Sequence, residues 1–81
     1  MNNLVWTIAG SDSGGGAGIQ ADIKAMRSFG VHGCTAITAL TAQNSLGVEA
    51  INAVSTDIIE SQLLALESDM KAKVIKIGML A

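Results

Sequence analysis

Apolar residues recur along this chain in two rhythms, one suited to strands and one to helices. Leu4-Val5-Trp6-Thr7-Ile8-Ala9 is a short, almost continuous apolar run ended by Gly10, the pattern of a strand buried on both faces. A glycine-rich loop follows, from Gly10 to Gly18. Ile19, Ile23, Met26 and Phe29 then return at helical spacing, with Gln20, Lys24 and Arg27 on the polar face and Gly30 as a stop. Gly33 to Thr41 is rich in threonine and small apolar residues and reads as a second strand. Ala42 to Gly47 reads as a loop, and Val48 to Val54 as a weak edge strand. Ser55, Thr56 and Asp57 supply helix caps, and Asp57 with Glu60 resembles a capping box. The helix is expected to run to about Asp69 with Ile59, Leu63, Leu66 and Met70 on one face. Lys73 to Met79 forms a final strand. Strands alternating with helices imply βαβ units, a mostly parallel sheet and the α/β class.

Composition narrows the picture. The only aromatic residues are Trp6 and Phe29, so the core is built from aliphatic residues and methionine. Hydrophobic residues make up 49% of the 81 residues, which excludes disorder and points to surface meant for more protein. The net charge of −2, with no basic patch, argues against a nucleic-acid partner. Cys34 is the sole cysteine, which excludes an internal disulfide and a cysteine zinc cluster and suits a reducing cytoplasm. The start of the chain lacks the basic charge of a signal peptide, and its apolar runs are too short to span a bilayer.

In open α/β sheets ligands bind beyond the carboxyl ends of the strands. Three predicted strand ends carry distinctive residues: Gly10 with Asp12, Thr41 with Gln43, and Gly78 with Met79. Parallel strands would bring them to one end of the sheet, around a pocket with apolar walls and a few polar groups that suits a small neutral ring. The glycine loop is not a nucleotide P-loop, because Gly16-Ala17 stands where that motif needs lysine and a hydroxyl residue. Gly16-Ala17-Gly18-Ile19-Gln20-Ala21 matches the dinucleotide fingerprint weakly, since its first glycine lies well past the strand end. The loop lies between a strand end and a helix start, where close backbone approach to a ligand explains its glycines better than a plain turn does.

Asp22 falls beside the apolar stripe of the first helix. It is either a carboxylate with a buried partner or a solvated acid favoured by the helix dipole. Gln43 can donate and accept at a heterocycle edge, or simply be solvated. Met79 reads as core or as a thioether packed on a ring. Cys34 reads as a buried filler, and His32 as a residue serving the carbonyls of the preceding helix end.

Three ordered segments then add up to a family. The run Thr7 to Lys24, with Gly-Ser-Asp-Ser at 10–13 and Gly-Ala-Gly-Ile-Gln-Ala-Asp at 16–22, closely resembles the opening of the hydroxymethylpyrimidine/phosphomethylpyrimidine kinases. Thr35 to Asn44 and Lys76 to Ala81 resemble the next two segments of that family. The resemblance implies a ribokinase-like three-layer α/β/α sandwich, of which this chain is the N-terminal βαβ(β)αβ portion, an incomplete domain at 1–81. It implies a kinase acting on 4-amino-5-hydroxymethyl-2-methylpyrimidine and its monophosphate in thiamine biosynthesis, with ATP and Mg2+ bound by residues outside this segment. Carried over by position, Asp22 and Gln43 would hydrogen-bond the aminopyrimidine edge, Thr41 and Met79 would line the ring pocket, and the backbone at Gly10 would approach the hydroxymethyl group. No catalytic residue is expected here, so the 81 residues alone are expected not to turn over substrate. The last strand is expected to present an uncovered apolar side and to promote self-association. A pyridoxal-type kinase of the same superfamily, a non-catalytic ligand-binding fragment and a dinucleotide-binding module are the competing readings.

Overall fold

The opening apolar run becomes an inner strand of the sheet, and its burial follows from neighbours on both sides. The computed structural model describes residues 3–78. Its elements are β1 (Leu4–Asp12), α1 (Gly18–Ser28), β2 (His32–Asn44), β3 (Gly47–Ala53), α2 (Thr56–Asp69) and β4 (Val74–Ile77). The strands lie in the order β3-β2-β1-β4. β1 pairs in parallel with β2 and with β4, while β3 returns antiparallel along β2 at one edge. The sheet is thus mostly parallel, with the weak strand at its rim.

Side-chain alternation along the strands assigns one helix to each face. Leu4, Trp6 and Cys34 share a face and pack against Leu63 and Leu66 of α2 and Met70 just past its end, three of the four residues of the stripe expected from spacing. Leu4 and Trp6 are 6% and 5% exposed. Full burial of a side chain the size of Leu4 stabilises the fold by about 1.5–3 kcal/mol. The Trp6 Nε1–H donates to the Met70 carbonyl at 2.7 Å, which ties the end of α2 to the sheet. Thr7 points to the other face and donates to Asp22 of α1 at 2.6 Å. On that face a Cβ at Gly33 would stand 2.8 Å from the Met26 sulfur, so α1 packs there on bare backbone. Helix, sheet and helix make the three expected layers.

Several boundaries differ from the sequence reading. β1 runs on through Asp12 and β2 through Asn44, because Ser11 pairs with Leu40, Asp12 with Thr41, and Ala42 to Asn44 with β3. The expected loop at Ala42–Gly47 therefore shrinks to a turn at Ser45 and Leu46, where the Asn44 side chain accepts from the Leu46 N–H at 2.8 Å. The α2 cap is Ser55, whose side chain accepts from the Ile58 N–H, so Asp57 and Glu60 do not form the cap. Helix α1 does end at Gly30, which has φ +73° and donates to the Arg27 carbonyl at 3.0 Å. Phe29, counted with the apolar stripe, is 82% exposed because it lies past the last helical turn. His32 starts β2, and its backbone N–H donates to the Asn3 carbonyl at 2.9 Å.

Candidate functional site

A cavity of about 260 Å³ opens at the carboxyl ends of β1 and β2, as the strand-end rule requires. Ala9, Val48 and Ile51 give it apolar walls, while Ser11, Asp12, Thr41, Gln43 and Lys76 supply polar groups. Its size suits a compact ring better than a large ligand.

Asp12 organises the glycine loop. Its Oδ1 accepts from the Gly14 N–H at 2.7 Å, and its Oδ2 from Gly16 and Ala17 at 2.9 and 2.8 Å. Burial alone would raise the pKa of this carboxyl. Hydrogen bonds from the Gln43 side chain and from the Gly14, Ala17 and Gly16 N–H groups outweigh burial and hold it below the ordinary value. The Gly14, Gly16 and Ala17 amides therefore point at a side chain of their own chain.

Gln20 and Ser13 complete the frame. The Gln20 amide accepts from the Asp12 N–H and donates to the Ser11 hydroxyl, both at 2.8 Å. It is turned inward, unlike its expected place on the polar face of α1, because the close approach of α1 to the end of β1 brings it within reach of these groups. Ser13 Oγ donates to the Gln43 carbonyl at 2.5 Å and accepts from the Gln43 N–H at 2.8 Å. This two-point clamp sets the Gln43 backbone at the cavity rim.

Three of the sequence-predicted site residues, Gly10, Thr41 and Gln43, line the cavity. The Thr41 hydroxyl donates across to the Ser11 carbonyl at 2.8 Å, where the β1–β2 register shifts. Gly10 lies against the start of α1: a Cβ on Gly18, which has φ +60°, would collide with the Gly10 carbonyl oxygen. Met79 falls outside the described residues.

Asp22 does not line the cavity. Its carboxylate accepts from Thr7 and from Lys76 Nζ, the latter at 2.8 and 2.9 Å. Its burial would raise its pKa, but the Lys76 and Thr7 hydrogen bonds and the Lys76 charge hold it below the ordinary value. Lys76, which sequence reasoning missed, does reach the cavity. The signal was present as a lone cation inside the apolar run Val74-Ile75-Lys76-Ile77. Asp12 was noted at its strand end, but its role as loop anchor needed the fold.

The glycine-loop amides are taken by Asp12, and no group of three or more His, Cys, Asp or Glu side chains converges among the described residues. Nor is any described helix long and apolar enough to cross a membrane.

Known proteins share this arrangement. Residues 12–81 match the phosphomethylpyrimidine kinase family. The chain is 52% identical over 81 residues to a hydroxymethylpyrimidine/phosphomethylpyrimidine kinase of Rhizobium meliloti (strain 1021), covering 100% of the chain and 30% of that relative. The crystal structure of phosphomethylpyrimidine kinase from Clostridium difficile 630 superposes with a TM-score of 0.95 at 46% identity, over 99% of this chain and 35% of that one. A pyridoxal kinase from Staphylococcus aureus, solved with AMP-PCP and pyridoxal, superposes with a TM-score of 0.87 at 35% identity, over 98% of this chain and 30% of its own. These kinases carry the same ribokinase-like layering of helix, sheet and helix. Family match and strand-end geometry agree, and the chain belongs to the phosphomethylpyrimidine kinase family.

Proposed function

We propose that these residues form the substrate-binding portion of an ATP-dependent kinase. Its substrates are 4-amino-5-hydroxymethyl-2-methylpyrimidine and the monophosphate of that alcohol, on the route to thiamine diphosphate in the cytoplasm. The observation that carries this reading is the small cavity with apolar walls and the clamped Gln43 at its rim. An amide offers one donor and one acceptor side by side, which matches an amino group next to a ring nitrogen. Thr41 and Gly10 line the pocket, and the Gly10 backbone is assigned to the hydroxymethyl group. Met79 is assigned a packing role against the ring. Asp22 is assigned to holding the Lys76 ammonium beside the cavity.

ATP and Mg2+ are assigned to parts of the kinase other than these residues; among the described residues no group of three or more His, Cys, Asp or Glu converges. Phosphoryl transfer depends on positioning and charge stabilisation by such groups. The 81 residues alone are accordingly expected to bind the pyrimidine without turnover, and turnover in a coupled ATP assay would overturn this.

Calorimetric titration of the aminopyrimidine alcohol into wild type and Gln43→Ala tests the site. Loss of the amide is expected to weaken binding by about tenfold, the scale of one or two hydrogen bonds. Equal affinities remove Gln43 from the site. A pyridoxal-type substrate is the second reading, favoured by the likeness to the pyridoxal kinase above. Competition of pyridoxal against the pyrimidine in the same titration separates the two.

A further inference from the structure

Lys76 is the one basic residue among those lining the cavity. Its ammonium carries three N–H donors. The two Asp22 carboxylate oxygens lie 2.8 and 2.9 Å from its Nζ. The two partners are unequally placed, since the Lys76 side chain is 49% exposed and that of Asp22 is 16% exposed. The cation therefore stands at the cavity and the carboxylate lies behind it, tied down by the buried Thr7 hydroxyl. Asp12, the other charged lining residue, has its carboxylate oxygens occupied by backbone N–H groups. Lys76 is thus the charged lining group with an N–H still able to turn to a ligand, since its third donor is not needed by Asp22.

A neutral alcohol gains little from such a group, whereas a phosphate monoester gains a charge-assisted hydrogen bond. We propose that Lys76 makes this cavity prefer the phosphate-bearing pyrimidine over the neutral alcohol, with Asp22 and Thr7 as positioning residues that hold the ammonium in place. This rests on the aminopyrimidine reading given above and deepens it by assigning the discrimination between the two substrates to one side chain. Lysine is suited to the task as a compact point charge on a flexible stem, able to meet a phosphate while one face remains on Asp22.

The experiment is a calorimetric titration of the full chain with the aminopyrimidine alcohol and, separately, with its monophosphate. Wild type is expected to bind the monophosphate more tightly, with the difference shrinking as salt is raised. Lys76→Gln is expected to weaken the monophosphate by about tenfold or more, the scale of a charge-assisted hydrogen bond, while changing the alcohol less than about twofold. Lys76→Arg is expected to keep the preference. Thr7→Val is expected to narrow it and Thr7→Ser to restore it, a pattern that simple destabilisation would not produce. Should Lys76→Gln fail to fold with Asp22 left unpaired, the double variant Asp22→Asn, Lys76→Gln replaces the ion pair by two neutral amides and is expected to show the same loss. Equal weakening of both ligands, or an unchanged ratio, overturns the assignment of Lys76 while leaving the pyrimidine reading intact. Binding of neither compound by wild type overturns both.

Discussion

Single residues at the end of β1 decide whether the cavity exists. Gly18 has φ +60°, and a Cβ there would strike the Gly10 carbonyl oxygen. Gly18→Ala must therefore adopt a left-handed backbone and also push α1 away from β1. The backbone term alone costs about 1–2 kcal/mol. Urea unfolding of Gly18→Ala is expected to show a loss of at least that size, together with weakened pyrimidine binding; wild-type stability would contradict the close packing seen here. Asp12 is the second decisive residue. Asp12→Ala leaves the Gly14, Gly16 and Ala17 N–H groups without their carboxylate. Amide hydrogen exchange at these three positions is expected to speed up, and unchanged protection would show that the loop holds itself. Both residues were visible in the sequence as a glycine-rich stretch beside an aspartate. Their partners were not, because Gly10 meets Gly18, and Asp12 meets Gln43, only after the chain has folded back on itself.

At the scale of elements, hydrogen bonds between a helix and a strand hold the layers together. The Gln62 amide of α2 accepts from the Ile37 N–H at 2.8 Å and donates to the Ile37 carbonyl at 2.9 Å. Ile37 lies in β2 just before pairing with β3 begins at Ala39, so on the side away from β1 its backbone groups have no paired strand. Gln62 stands in for the missing rung. Gln62→Leu removes both bonds and is expected to cost about 1–3 kcal/mol, the penalty of an unsatisfied buried polar group. Thermal or urea unfolding would check it, and a neutral result would mean that water takes over both groups. The stripe Leu63, Leu66 and Met70 was legible from spacing, since a helix must turn its apolar face to the sheet. Strand lengths were less legible. Ala42 to Asn44 are strand only because β3 lies alongside, and no local preference in those residues says so.

The molecule as a whole carries two consequences. The first concerns acid. Asp12 and Asp22 both sit below their ordinary value of 3.8 when folded. Below that value the unfolded chain takes up protons that the folded chain resists, so the stability these carboxylates contribute is complete above pH 3.8 and is lost as the pH falls through their lowered native values. The urea midpoint is expected to be insensitive to these two groups near neutral pH and to fall in that acid range, with a shallower fall in Asp22→Asn. An acid range without any such fall would count against both networks. The second consequence concerns association. Val74, Ile75 and Ile77 of β4 are all at least half exposed, and every residue of β3 is exposed at the opposite rim. Such apolar surface and open strand edges favour contacts between copies. Sedimentation of the 81-residue chain is expected to show self-association that grows with concentration, and a single monomeric species would contradict it.

The order of residues by itself determined the alternation of strands and helices, the apolar face of α2, the glycine stop at Gly30 and the edge position of the weak strand. Each follows from periodicity or from the local conformational preference of one residue. It also determined the family, because three motifs in order are hard to meet by chance. Only the tertiary structure decided that Asp22 faces Lys76, with the lysine at the cavity. Those residues lie 54 positions apart. Their meeting depends on β4 settling in parallel beside β1, a pairing chosen by the burial of the whole sheet and written in no local stretch of the chain.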